Sequence, residues 1–370
     1  MFRKLAKYII IIINIAFLAA LIASGLACFV NPARHTLIAL FCLGFPIFFI
    51  INIIFVVFWL LCRKKFFLIP LAPVLIFALR FIDFSAENKN ISPNTESFRV
   101  MTYNAHGIGY PYWPKHNEKF SEIADFIHSQ NLDIVCIQEF SNGDRDFPTV
   151  KRLTHEFKFS HTHFFKTNWT RGDVKGGIAT FSKYPIVHHE SVKSTTDGDN
   201  IILITDVLIK TDTIRLINCH LQSNKFSIGE YKFIEDMNSF DTKVYKNTKI
   251  ESNLKSLLEV AERMRKAYNW RVGQAETLVQ LIDNSPYTTI VCGDFNDTPS
   301  SYIYRKVSRH MHDSHRVAGS GWQNTYRRFW PGIRIDYILY NGNITCTNSK
   351  VPAYDASDHR PVVGEYILKR

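Results

Sequence analysis

Thr288-Thr289-Ile290-Val291-Cys292-Gly293-Asp294-Phe295-Asn296-Asp297 reads as a buried strand that stops abruptly at a carboxylate and an amide. A short β-branched run closed by glycine is a strand pattern, and strand alternation delivers Asp294 and Asn296 to one face at its C-terminal end. Enzymes of the α/β class place their chemistry at such ends. Taken alone, the stretch is equally a strand followed by an Asx-rich turn, since Asp and Asn are common turn residues. The rest of the chain separates the two.

The 370 residues are 46% hydrophobic, enough for one large domain with material left over at the front. Tyr8 to Val30 and Thr36 to Cys62 carry no charged side chain over 23 and 27 positions, long enough to cross a hydrocarbon core. Phe66 to Phe84 is a third candidate span, interrupted by Pro70, Pro73 and Arg80. Arg3, Lys4 and Lys7 precede the first span and Arg63, Lys64 and Lys65 follow the second, with only Arg34 between them. The positive-inside rule therefore expects a cytoplasmic N-terminus, and three spans put everything after Ser85 outside the cytoplasmic membrane, in the periplasm if the cell has one. The first apolar run is too long for a cleaved signal peptide, and a second span follows it directly.

Residues 1–84 hold eight of the Lys/Arg and one acidic residue, so most of the formal +11 belongs to the membrane segment. The remaining 286 residues carry 36 basic against 32 acidic side chains, a modest +4 that makes no strong nucleic-acid footprint. Seven cysteines form neither a C-x-x-C metal pattern nor a small disulfide scaffold, and buried free thiols are expected.

Residues 85–97 are polar and turn-rich, a linker, and the soluble domain is expected over 98–370. Strand patterns run over Phe98–Tyr103, Asp133–Glu139, Gly176–Ser182, Ile201–Ile209, Thr213–Asn218, Gly332–Tyr340 and Val362–Ile367. Helical spacing covers Asn117–Ser129, one or two helices within Ile250–Leu281, and a short helix near Ser301–Val307. The stretch Ser223–Trp270 is rich in Lys, Glu, Asn and Ser and reads as a surface insert.

Strand ends now present Asn104, Glu139, His220, Asp294 with Asn296, and Asp358 with His359, while Asp336 lies within a further strand. A lone strand-end histidine or carboxylate is ordinarily a hydrogen-bonded cap. Together, each at an apolar run, they are hard to attribute to packing. The motifs Thr102-Tyr103-Asn104, Ile137-Gln138-Glu139, Cys219-His220-Leu221, Gly293-Asp294-Phe295-Asn296, Arg334-Ile335-Asp336-Tyr337-Ile338 and Ser357-Asp358-His359 resemble, in order, those of the endonuclease/exonuclease/phosphatase superfamily with its deoxyribonuclease I-like fold.

That resemblance implies an α/β four-layer sandwich, two mixed β-sheets flanked by helices, here preceded by a transmembrane helical segment. It also implies metal-dependent cleavage of a phosphoester by water. Glu139, with Asn104 and Asp358, would hold Mg²⁺, or Mn²⁺ or Ca²⁺, through hard oxygen donors. Asp294 and Asn296 would orient the water and the phosphoryl oxygens. His359, held by Asp336, would act as base or phosphate ligand, and His220 would stabilise the transition state or protonate the leaving oxygen. His106 stands where some members carry Asp, and joins the metal shell only as a weak candidate. His220 resembles the deoxyribonuclease, sphingomyelinase and inositol-phosphatase branches, whereas Asp297-Thr298-Pro299 departs from the inositol polyphosphate 5-phosphatase pattern. The expectation is a membrane-anchored phosphodiesterase or phosphatase acting on a lipid headgroup or a nucleic acid, with membrane lipids around its N-terminal helices and no protein partner inferable. A tethered nuclease, and a non-catalytic binding module that kept the fold, are the competing expectations.

Overall fold

The structure is a computed structural model that describes residues 2–81, 97–108, 116–142, 150–156, 158–171, 174–193, 200–227, 229–232, 250–321, 323–328 and 332–369. The expected linker, except Ser97, and residues 233–249 of the insert lie outside the described residues.

The N-terminal part forms α1 (Phe2–Leu26), α2 (Thr36–Leu40), α3 (Phe45–Leu61) and α4 (Leu68–Phe81). There follow β1 (Ser97–Ile108), α5 (His116–Ser129), β2 (Ile134–Asn142), α6 (Val150–Glu156), β3 (His161–Arg171), β4 (Val174–Ser182), β5 (Ile186–Lys193), β6 (Ile201–Ile209) and β7 (Asp212–His220). The chain ends with α7 (Ile250–Asp283), β8 (Thr288–Asp294), α8 (Tyr302–Ser308), β9 (His312–Asp313), α9 (Ser314–Ala318), β10 (Asp336–Tyr340), β11 (Ile344–Lys350) and β12 (Val362–Leu368). Two compact units result, one of Met1–Asp83, Asn224–Val272 and Asp297–Lys306, the other of Phe84–Ser223, Gly273–Asn296 and Val307–Arg370.

In the first unit α1, α3 and α4 pack on one another through Leu21, Phe45, Phe49, Val74 and Phe77. Two apolar stretches, Lys4–Phe29 and Thr36–Leu61, are each 26 residues long, and Lys65–Ala78 is a shorter apolar helix. Polarity is inverted relative to a water-soluble bundle. Asn14, Ser24 and Asn52 are buried, whereas Ile12, Ile54 and Leu61 are exposed. The buried amides find partners inside for one end each: Trp59 Nε1 donates to Asn14 Oδ1 at 3.2 Å, and Asn52 Nδ2 donates to the carbonyls of Phe17 and Phe48 at 3.0 and 2.8 Å.

The second unit holds two mixed six-stranded sheets, ordered β11-β12-β1-β2-β4-β3 and β5-β6-β7-β8-β10-β9. Each contains one parallel pair, β1–β2 and β7–β8, among antiparallel neighbours. Strand alternation assigns the two faces. Val100, Ile134 and Cys136 pack with Leu216, Ile290, Cys292 and Ile338 of the other sheet. Their neighbours Met101, Tyr103, Val135 and Ile137 pack on Ile123, Ala124 and Ile127 of α5. Each aliphatic side chain so buried contributes about 1.5–3 kcal/mol. The expected four-layer α/β sandwich is therefore present.

Three details differ from expectation, and a fourth narrows it. The strand expected over Gly332–Tyr340 begins only at Asp336, because Thr325 Oγ1 accepts the N–H groups of Ile335 and Asp336 and Arg334 turns aside to Asp313. Asn104 and Glu139 sit inside their strands, at register shifts between Asn104 and Ile108 and between Ile137 and Phe140. The helical spacing within Ile250–Leu281 resolves into one helix of 34 residues. Strands β3, β5, β9 and β11 had no counterpart among the expected strands. All seven cysteines are free thiols, and only Cys62 is exposed.

Candidate active site

Strand register assembles the site. In the second sheet His220 pairs with Asp294 across β7–β8, and Asp336 pairs with Asp294 across β8–β10, so three adjacent strands present three chemical side chains in one row. Gly293 permits this close pairing, since a Cβ there would collide with the carbonyl oxygen of Cys219. In the first sheet the bulges at Asn104 and Glu139 re-aim both side chains, and Glu139 takes a φ of 51° to do so.

Below the site, the sheets are joined by a buried polar network that the sequence motifs did not single out. Gln138 Nε2 donates to Asn218 Oδ1 at 2.7 Å and to Thr102 Oγ1 at 3.0 Å, and Asn218 Nδ2 donates to the Ala179 carbonyl at 2.8 Å. A fully satisfied network of this kind fixes the mutual position of the two sheets. Polar residues facing inward in otherwise apolar strands were the available signal.

Asp294 is the point of convergence. It accepts from the Asn296 backbone N–H at 2.7 Å, from Asn296 Nδ2 at 3.2 Å and from Asn104 Nδ2 at 3.0 Å. His220 Nε2 lies 3.6 Å from it and His359 Nε2 3.8 Å. On its other side His359 Nδ1 meets Asp336 Oδ2 at 3.0 Å. Burial, and after it the neighbouring Asp336, push the Asp294 carboxyl up to about 6. Burial opposes charging His359, but Asp336 and then Asp294 outweigh it and raise the imidazole well above its ordinary value.

Facing this row, Asn104 Nδ2 donates to Glu139 Oε1 at 3.2 Å. His106 Nδ1 lies 3.5 Å from Glu139 Oε2 and 3.4 Å from Asp358 Oδ1, which places the weak candidate His106 between the two carboxylates. Burial disfavours the Glu139 carboxylate, yet His106 and then His220 outweigh that and hold its pKa at about 2. Ser357, Arg328 and Tyr326, absent from the expected site, support Asp358 and His359. Ser357 Oγ donates to the Asn104 carbonyl at 2.9 Å and accepts the His359 N–H at 3.1 Å. Arg328 Nε donates to Asp358 Oδ2 at 3.2 Å, and the Tyr326 ring packs on His359 with centroids 4.8 Å apart. All nine expected residues thus come together.

A divalent ion fits one part of this arrangement. Glu139 and Asp358 offer partly buried carboxylates, hard oxygen donors of the kind Mg²⁺ or Mn²⁺ takes, while Asn104 turns Nδ2 to Glu139 and accepts the His106 N–H at Oδ1 at 3.0 Å. Next to it, His220 Nε2 is buried with no hydrogen-bond partner among the described residues, a ring nitrogen left open to a substrate oxygen. Asp294, Asp336 and His359 also place ligand atoms within 4.8 Å of one another. Their lone pairs, however, are already taken by Asn104, Asn296 and the Asp336–His359 bond, which suits a proton-handling group better than a metal cage.

Fold and site together define the class, a hydrolase acting on phosphoester bonds. The chain belongs to the Endonuclease/Exonuclease/phosphatase family, whose model matches residues 101–359 and so includes every residue described above. Enzymes of this family are generally dependent on divalent metal. Residues 7–82 match a separate model, a domain of unknown function (DUF8431). A search of curated proteins gives no match. Among solved structures, an endonuclease/exonuclease/phosphatase from Beutenbergia cavernae is 20% identical, with 74% of this chain and 72% of the other covered and a TM-score of 0.52. One from Bacteroides vulgatus is 16% identical, covering 74% of this chain and 100% of its own, with a TM-score of 0.52. The human Nocturnin catalytic domain with bound sulfate is 17% identical over 74% of this chain and 95% of its own, at a TM-score of 0.50. At these identities the likeness is one of fold.

Proposed function

We propose that the chain is a membrane-anchored, metal-dependent phosphoesterase whose catalytic domain lies outside the cytoplasmic membrane and acts on a phosphoester presented at the bilayer, a lipid headgroup. The observation that carries the chemistry is the convergence of His220, His359 and Asn296 on the buried Asp294, opposite Glu139 and Asp358. Anchoring is supported by two 26-residue apolar helices that bury Asn14, Ser24 and Asn52 while exposing aliphatic side chains, and the external placement takes the shorter apolar helix Lys65–Ala78 as a third span.

Glu139, Asn104 and Asp358 would hold the metal ion, which neutralises charge on the anionic phosphoryl group when bound. Asp294 positions the attacking water and accepts its proton, with Asn296 holding the Asp294 carboxylate in place. His359, fixed by Asp336, binds a phosphoryl oxygen through Nε2. His220 directs its open Nε2 to the leaving oxygen.

The full chain in nanodiscs should hydrolyse bis(p-nitrophenyl) phosphate with Mg²⁺ or Mn²⁺, and Asp294→Ala should abolish it. Full turnover in chelator would overturn the metal requirement. Side-by-side assays on phospholipid nanodiscs and on DNA at several salt concentrations separate the substrates. A preference for DNA that weakens steeply with salt would make the chain a tethered nuclease instead.

A further inference from the structure

Two leucines of α7 stand exposed in the unit that also contains the apolar helices: Leu257 at 49% and Leu258 at 61%. Leu257, Val260, Ala261, Met264 and Tyr268 recur at helical spacing and share one stripe. The C-terminal end of that stripe is covered, with Met264 and Tyr268 buried against Ala39 and beside Leu40 and Leu43. One to two turns earlier the stripe emerges at Leu257, with Leu258 alongside.

The depth of this contact is set by the partner helix. The apolar stretch Thr36–Leu61 has 26 residues. At 1.5 Å per residue it spans about 39 Å, against about 30 Å of hydrocarbon, so about three residues at each end pass into the headgroup layer and the turn that follows lies at the hydrocarbon edge. That edge turn, Ala39 to Leu43, is the one that meets α7. Charge agrees with that placement. Lys255, Arg263, Arg265 and Lys266 outnumber Glu259 and Glu262 over the same turns. The Lys255–Glu259 and Lys266–Glu262 pairs are exposed and long, 4.0 and 3.8 Å, and so exchange readily for other anions, whereas Arg265 and Arg263 are held by Glu262 and Glu230 at 2.7 and 2.6 Å.

We propose that the N-terminal half of α7 is an interfacial helix. Leu257 and Leu258 enter the headgroup–acyl boundary of the bilayer around α1 and α3, and Lys255 and Lys266 bind anionic headgroups. This rests on the membrane-anchored function proposed above.

The test uses the full chain in phosphatidylcholine/phosphatidylglycerol nanodiscs doped with a phospholipid carrying an acyl-chain diazirine. After illumination and trypsin, the peptide Ser256–Arg263 should carry lipid adducts alongside peptides of α1 and α3. Leu257→Glu with Leu258→Glu should lower the adduct on that peptide about fivefold or more, leaving α1 and α3 labelled and the melting temperature unchanged. Adducts confined to α1 and α3 would overturn the interfacial helix and leave the anchor standing. Absence of adducts from α1 and α3 as well would remove the anchor itself.

Discussion

His359 Nδ1 lies 3.0 Å from Asp336 Oδ2, and both side chains are buried. A buried carboxylate in that position fixes the tautomer and plane of the ring, leaving Nε2 to face Asp294 at 3.8 Å. Asp336→Asn keeps the shape and removes the charge. The expected result is a fall in kcat of about 10²–10⁴ with little change in KM. A kcat within twofold of the parent would remove His359–Asp336 from the chemistry.

Glu139 and Asp358 flank His106, and Glu139 remains ionised far into acid, with a pKa of about 2. Glu139→Gln should therefore raise the Mg²⁺ concentration for half-maximal activity by about 10–100-fold, with saturating metal restoring part of the rate. Titrations of the parent and variant with metal, after dialysis against chelator, read this directly. Overlapping curves would place the ion elsewhere.

Gly293 sits where β8 passes closest to Cys219. Gly293→Ala forces the two backbones apart between His220 and Asp294, and should destabilise the protein by about 2–4 kcal/mol while abolishing activity. Chemical denaturation at constant pH gives the first quantity. A stable, active variant would show that the pairing tolerates separation.

His163 and His315 give the stability a pH dependence of known sign. Burial lowers both pKa values to about 4, helped by His189 at the first and Arg334 at the second. The unfolded chain binds protons near pH 6.5 and the folded chain only near 4, so stability is full above about 6.5 and declines as pH falls from there to 4. The loss is roughly 1–3 kcal/mol for each histidine. His163→Gln should flatten the slope of melting temperature against pH in that window. An unchanged slope contradicts a buried neutral His163.

Arg271 and Asp297 are both buried in the first unit, 3.6 Å apart, and Arg271 Nη2 also donates to Asn224 Oδ1 at 2.5 Å. Burial outweighs Arg271 and pushes the Asp297 carboxyl up to about 6. Arg271→Met leaves that carboxylate without its cation and should cost about 3–5 kcal/mol, whereas Arg271→Met with Asp297→Asn should recover much of the loss. Thermal melts in detergent distinguish the two. Equal melting temperatures for the single and double variants would show that the pair is not coupled.

Sequence alternation was sufficient where strands are buried on both faces. β8 and β6 announce themselves because Ile290 to Cys292 and Ile201 to Ile204 have no solvent side. The strands it did not reveal, β3, β5, β9 and β11, lie at the edges of the sheets, where β9 is two residues long, β5 is largely exposed and His161–Arg171 mixes polar and apolar side chains freely. The site behaved similarly. Asp294, His220 and Glu139 follow apolar runs and were legible. Gln138 and Ser357 stand inside the motifs but without an assigned role, whereas Arg328, Tyr326 and Asn218 act through contacts set by tertiary folding that spacing along the chain did not mark.

The row His220, Asp294 and Asp336 is closed by backbone pairing alone, and the crossover from β7 to β8 enters and leaves it at fixed points. The crossover between them, residues 221–287, holds the row from outside, through the Leu221 carbonyl that accepts from Asn296 Nδ2 at 3.0 Å, while the ladder on either side keeps the chemistry in step.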